Sequence, residues 1–419
     1  MVIANRDINK VLEDDTPVHD WYRFVLSFPP HLVREYRERF RVVPEERVLD
    51  PFCGTGTVLV ECKKLGIPSI GVEAHPMSAF ASAVKVDWLP DPDGLLNHAA
   101  RVASAATARA AMDGRGLRTL PADAMNLLLT DSIGDLALHK TLVLLDCLEH
   151  FRDDRYHRHE QLALARAVVR DCSNLHFGPE VGVEPPARRK RDAPVVDAWL
   201  ASVRTIAEDL RRLRSRAGVA ASVYQGDSRR IADILAPQSV DVVITSPPYP
   251  NEKDYTRTTR LESVLLGFIR DKAELRHVKR GLVRSNTRNA YKEDDDDQWV
   301  NGHPEIQRIA ADIEARRLEL GKTSGFERLY HRVAKLYFGG MARHLAEMRK
   351  VLRPGARLAY VVGDQASYLQ VMIRTGHLLA DIGESLGFDV MGIDLFRTRM
   401  ATATKQQMRE EVVLLHWRG

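Results

Sequence analysis

The residues best equipped for chemistry in this chain are Ser246, Pro247, Pro248 and Tyr249, delivered by the run Val242-Val243-Ile244-Thr245. An apolar, β-branched run that stops in a polar residue, two prolines and an aromatic is a strand emptying into a loop. The prolines have fixed φ and no N–H, so the loop is stiff and its carbonyls are free to accept bonds from a ligand. Such parts answer a specific problem. An amine conjugated to a heteroaromatic ring is a poor nucleophile because its lone pair is delocalised. Acceptors for both amine hydrogens, the Ser246 hydroxyl and the Pro247 carbonyl, favour a pyramidal nitrogen with its lone pair aimed at an electrophile. Tyr249 adds a face on which a flat ring can stack, a contact worth about 1–3 kcal/mol.

A second constellation is Asp50-Pro51-Phe52-Cys53-Gly54-Thr55-Gly56-Thr57, entered from the short apolar strand Arg47-Val48-Leu49. Glycines let the backbone turn tightly and approach a ligand, and a helix beginning near Thr57 offers free N–H groups to a carboxylate. The third glycine of the dinucleotide fingerprint is missing, which argues against a nicotinamide cofactor. Ser69-Ile70-Gly71-Val72-Glu73 reads as the next strand, and an acid at its tip is placed to accept ribose hydroxyls.

Ser-Pro-Pro-Tyr resembles the catalytic motif of the S-adenosylmethionine-dependent DNA amino-methyltransferases, in the serine form typical of cytosine-N4 enzymes; adenine-N6 enzymes usually carry Asp or Asn first. Asp-Pro-Phe-Cys-Gly-Thr-Gly-Thr is similar to the cofactor loop of that family. The resemblance covers residues 20–90, 218–257 and 340–419. It implies catalytic roles for Ser246, Pro247, Pro248 and Tyr249, and S-adenosyl-L-methionine held by Phe24, Pro29, Asp50, Phe52, Gly54, Thr55, Gly56, Thr57, Glu73 and Asp227, the last against the adenine amine. The implied reaction is methyl transfer to the N4 amine of cytosine in double-stranded DNA, with the base flipped out and no covalent adduct, within a restriction-modification or defence setting. None of Cys53, Cys62, Cys147 and Cys172 follows a proline, which argues against the Pro-Cys nucleophile of cytosine-C5 enzymes. Adenine N6 or an RNA guanine N2 amine would suit the same fold. A catalytically inactive, cofactor-sensing DNA-binding protein is the alternative from another class. No target-recognition domain follows the last strand, so DNA reading would fall to the insertions, with Arg257, Arg260 and Arg284 as phosphate contacts.

These residues must be positioned by a larger frame. The expected fold is α/β: a Rossmann-like, seven-stranded methyltransferase sheet with an antiparallel last strand, a helical insertion and a second, mixed insertion. The expected division is 1–40 as an N-terminal segment, 41–90 with 218–250 and 340–419 as the core, 91–217 as the helical insertion without strands, and 251–339 as the second. A chain of 419 residues, 44% apolar, can bury a core of that size. Net charge is only +4, yet Arg188–Arg230 holds eleven Lys/Arg against five Asp/Glu and Asn251–Asn289 ten against five, patches that fit a phosphate backbone. The cluster His150, Asp153, Asp154, His157, His159, Glu160 reads as an exposed charged helix face, and Glu293–Asp297 as a solvated acidic loop; no metal is expected at either. With no membrane-length apolar run and an acidic N-terminus, a cytoplasmic protein is expected.

Overall fold

The computed structural model describes residues 12–23, 28–112, 116–178, 180–250, 254–400 and 407–419. The strands are β1 (Val48–Asp50), β2 (Ser69–Glu73), β3 (Leu175–Phe177), β4 (Val181–Val183), β5 (Ala221–Gln225), β6 (Val240–Thr245), β7 (Leu352–Gly363), β8 (Asp389–Met400) and β9 (Gln407–Trp417). Seven of them form one sheet in the order β5-β2-β1-β6-β7-β9-β8. β5, β2, β1, β6 and β7 run parallel, and β9 lies antiparallel between β7 and β8. This is the expected Rossmann-like sheet. β6 has helices against both faces, which is why Val242-Val243-Ile244 within it reads as a continuous apolar run rather than an alternation.

The strand order does the work that the sequence spacing hides. β1 pairs directly with β6, Val48 opposite Val242 and Leu49 opposite Val243. The loops leaving their carboxyl ends therefore emerge side by side. Thr245 Oγ1 clamps them by donating to Asp50 Oδ1 at 2.6 Å, across 195 positions of sequence.

Each face of the sheet carries its own core. On one, Val242, Ile244, Val361 and Val412 pack with the helix Thr57–Leu65 and with the helices of 92–213 in one continuous cluster. The helix Val195–Leu213 shows how: Trp199, Val203, Ile206 and Leu210 recur at helical spacing and are all buried. Full burial of such side chains is worth about 1.5–3 kcal/mol each, and an aspartate at Val203 would break the seam. On the other face Val243, Leu358 and Tyr360 pack against helices Pro304–Glu319, Tyr330–Val351 and Thr375–Ser385.

Three expectations are corrected. The 91–217 region does contain strands: β3 and β4 form a two-stranded antiparallel ribbon, whose three-residue strands are too short to register a period. The histidine-rich cluster is not an exposed face. His157, His159 and Glu160 are buried; Glu160 is hydrogen-bonded to His98 at 2.7 Å, and His159 to the Asp87 carbonyl at 2.9 Å. The acidic run is not simply solvated either. Asp294 pairs with Arg284, and buried Asp296 pairs with Arg229 and Arg343. Gly339 permits that approach, since a Cβ there would lie 1.8 Å from the Asp296 carbonyl oxygen. Among the described residues no helix is long and apolar enough to cross a membrane.

Candidate active site

The loop after β1 turns through two left-handed glycines, Gly54 at φ +50 and Gly56 at φ +86, a conformation other residues resist. Gly56 is pressed onto the helix Pro76–Lys85: a Cβ there would lie 2.6 Å from Ser82 Oγ and 3.2 Å from its Cα. Gly54 faces open space instead, with nothing among the described residues within 4 Å of where its Cβ would stand. Its N–H donates to Glu73 Oε2 at 2.8 Å, and the His75 N–H donates to Glu73 Oε1 at 2.7 Å. These bonds fix the carboxylate while leaving each oxygen a further lone pair. Burial raises the Glu73 pKa, and the backbone N–H groups oppose that shift. Asp50 is 1% exposed and accepts from Thr245 and from the Phe52 N–H. Burial pushes its carboxyl up to about 7, with Glu73 adding repulsion.

On the neighbouring strand end, Ser246 Oγ donates to the Val361 carbonyl at 3.3 Å. Because the hydroxyl proton is spent on β7, the oxygen's lone pairs are available to a ligand's N–H. The Tyr249 ring lies on Gly363, where a Cβ would come within 2.8 Å of Cε2 and 2.9 Å of Cδ2. Only glycine leaves room for the aromatic there.

A single cavity takes in both loops. Of the expected residues, Phe52, Gly54, Thr55, Thr57, Glu73, Ser246 and Pro248 line it. Asp50, Gly56, Pro247 and Tyr249 stand outside its lining; the first two hold the loop in shape and Tyr249 packs on Gly363. Phe24 lies outside the described residues. Pro29 is buried as the N-cap of the helix Pro30–Arg39, and Phe28 reaches the cavity instead. Asp227, expected against the adenine amine, is turned to a neighbour. Both its oxygens are taken by Arg229, at 2.7–3.1 Å, so its neighbours Gly226 and Ser228 line the cavity and it does not.

The sequence reading missed several lining residues. His75 follows Glu73 directly; burial lowers its pKa to about 4, so it is neutral, accepting the Ser78 N–H on Nδ1 and meeting Thr259 Oγ1 through Nε2. Leu282, Val283, Ser285 and Asn289 come from the second insertion. Asn289 is 1% exposed and its Oδ1 has no partner among the described residues. An acceptor of that kind beside a cavity is what Asp227 was expected to supply, and no local pattern in Asn286-Thr287-Arg288-Asn289 signals it.

The arginines proposed for phosphate contact turn inward. Arg284 is buried, donates twice to Asp294 at 2.8 Å and reaches the Lys279 and Arg280 carbonyls. Arg260 donates to the Thr256 carbonyl at 2.7 Å and to its hydroxyl at 3.1 Å. Arg257 is half-buried, with a partnerless Nε.

The donor set fits S-adenosylmethionine. The open space at Gly54 would admit its methionine end, the first turn of the helix Thr57–Leu65 would offer N–H groups to its carboxylate, and Glu73 would offer acceptors to its ribose hydroxyls.

No family model matches the chain. It is 24% identical over 427 residues to the type II methyltransferase M.BsoBI of Geobacillus stearothermophilus, covering 93% of this chain and 82% of that protein. It is 23% identical over 419 residues to the type II methyltransferase M.AvaI of Nostoc sp., covering 93% and 83%. The solved rRNA methyltransferase aviRa of Streptomyces viridochromogenes aligns over 99% of this chain and 96% of its own at 12% identity and a TM-score of 0.36, too loose a superposition to add to the fold described above. The chain is thus similar along nearly its whole length to type II methyltransferases, and the donor set of its cavity fits the methyl donor S-adenosylmethionine.

Proposed function

We propose that this protein methylates the exocyclic N4 amine of cytosine in DNA, as the modification enzyme of a type II restriction-modification pair. The observation that carries this reading is that Ser246 and Pro248 share one cavity with Gly54 and Glu73. An amine acceptor and a cofactor cradle are thereby set on adjacent parallel strands. S-adenosylmethionine, when bound, supplies an electrophilic sulfonium methyl.

The chain's own groups account for the rest. Ser246 Oγ, its proton held by Val361, accepts one amine hydrogen, and the carbonyl of Pro247, between the lining residues Ser246 and Pro248, is assigned the other. Tyr249, held by Gly363, stacks on the extruded base. Serine is a poor base, so the amine keeps both protons until the methyl has arrived and loses one afterwards to solvent. Positioning therefore supplies most of the rate, as expected for an in-line transfer.

The test is nucleoside analysis of DNA incubated with the protein and methyl-labelled cofactor. Label in N4-methylcytosine is expected. Label confined to N6-methyladenine, or to added RNA, would overturn the assignment, and binding without turnover would favour a cofactor-sensing role.

A further inference from the structure

A second cleft lies beyond the helical turn Tyr255–Thr258. Tyr255 lines the cavity described above and Thr258 lines this one, three residues and about 4.5 Å of helical rise away. Its volume of about 510 Å3 falls within the roughly 300–1,000 Å3 of small-ligand sites. One wall is the β3–β4 ribbon, through Leu175 and Phe177, the latter 37% exposed. The opposite wall is the helix Arg260–Leu265, through Glu262.

Glu262 is 2% exposed. Tyr22 donates its hydroxyl to one carboxyl oxygen, and the other, Oε2, has no partner among the described residues. A buried carboxyl oxygen left unsatisfied is costly, by about 1–3 kcal/mol or more for a charged group, and a ligand N–H would remove that cost. The rim has the opposite character. Arg23 and Arg170 are exposed, and neither pairs with a carboxylate among the described residues. That sets them apart from Arg189, Arg191, Arg211, Arg229 and Arg230, which all do. Arg166 braces the wall, donating to the Asp20 carbonyl and to Ser202 Oγ.

A recessed acceptor, an exposed aromatic ring and two free guanidinium groups are the complement of one nucleotide: a base edge bearing N–H donors, a flat face and a phosphate. Resting on the DNA reading above, we propose that this cleft holds the nucleotide flanking the methylated base, with its base donating to Glu262, stacking on Phe177 and its phosphates held by Arg23 and Arg170. The ribbon reaches toward the catalytic cavity as well: Glu180 lies 3.6 Å from Arg288, the neighbour of the cavity residue Asn289. One strand of DNA could therefore serve both sites.

The experiment maps methylated positions at base resolution on random-sequence DNA for wild type, Glu262→Gln, Arg170→Ala and Phe177→Ala. Glutamine keeps an acceptor for Tyr22 and replaces the orphan acceptor with a donor. The expected result is an altered preference at a base beside the methylated one, with at least about a tenfold loss on the wild-type sequence. Arg170→Ala should weaken DNA binding and lower the slope of log affinity against log salt by about one. Phe177→Ala should weaken DNA binding on the order of tenfold. If Glu262→Gln does not fold, judged by loss of the cofactor-induced rise in melting temperature, the two rim variants decide the matter. Identical flanking preference and DNA affinity in every folded variant would overturn the inference alone. A wild type that methylates no DNA, or only RNA, would remove the proposed function and this inference together.

Discussion

Replacing Ser246 with alanine is the most direct perturbation of the proposed chemistry. In the resting structure the hydroxyl makes one long bond, 3.3 Å to the Val361 carbonyl, from a half-buried position. Losing it should cost folding less than about 1 kcal/mol. The Gly54 cradle and the Glu73 bonds are untouched, so the cofactor Kd should hold within a few-fold. The reacting amine, by contrast, loses one of its two acceptors inside a closed site. Removing one preorganised group of this kind costs about 2.7–4 kcal/mol at the transition state, or 10²–10³ in kcat. The assay is single-turnover transfer of labelled methyl to DNA, with cofactor affinity measured separately by calorimetry. A rate within about threefold of wild type, ~0.6 kcal/mol, would show that the hydroxyl does not activate the amine, and the mechanism derived from it would be wrong.

Further expectations follow from the same geometry. Gly363→Ala would drive a methyl to 2.8 Å from the Tyr249 ring; overpacking of about 1–3 kcal/mol should displace the ring and raise the KM for DNA without changing cofactor affinity, and an unchanged DNA KM would dissociate Tyr249 from the base. Asp50→Asn tests a buried carboxyl held near 7 rather than 3.8. A pKa raised by folding gives stability that is full below about 3.8 and lost as pH climbs through about 7, by up to about 4 kcal/mol. Asparagine can still accept from Thr245 and Phe52 through Oδ1, so the variant's melting temperature should decline less than wild type between pH 4 and 8; parallel curves would refute the assignment. Arg284→Ala breaks a buried pair with Asp294 and should cost stability by about 3–5 kcal/mol. Unchanged stability with a shallower salt dependence of DNA binding would return Arg284 to the phosphate role.

What was legible in the sequence was whatever depended on neighbours in the chain. The strand-to-loop signatures at Asp50–Thr57 and Val242–Tyr249 carry their own geometry, because glycine and proline restrict the backbone locally. The seven-stranded sheet with its antiparallel last strand then followed from the family resemblance. What failed depended on which partner each side chain finds in the fold, whether near or far along the chain. The charge runs were read as exposed because like charges lie together in the chain, yet Lys279, Arg280 and Arg284 each find an acid elsewhere, in Asp254, Glu293 and Asp294. Asp227 was assigned to the cofactor on its position, and its neighbour Arg229 claims it. Phe28 reaches the cavity beside a Pro29 that caps a helix, a one-residue distinction that composition cannot make.

DNA reading was expected to fall to the insertions, and the ion pairs of the second one tie it to the core. Arg229 bridges Asp227, at the end of β5, to Asp296 in the insertion, and it also donates to the Arg280 carbonyl at 3.0 Å. Gly339 lets the Asp296 backbone press against the helix Tyr330–Val351. These anchors fasten the segment 281–289 to the core on both sides, and that segment presents Leu282, Val283, Ser285 and Asn289 to the cofactor cavity. An element clamped this way completes a small-molecule site, because moving it would open the wall and strip a buried guanidinium of one of its two carboxylates. The ribbon of the first insertion lacks that confinement: Phe177 is exposed and Arg170 beside it is free of carboxylate partners among the described residues. The insertion with uncommitted cations and an exposed ring is the one left to meet a polyanion.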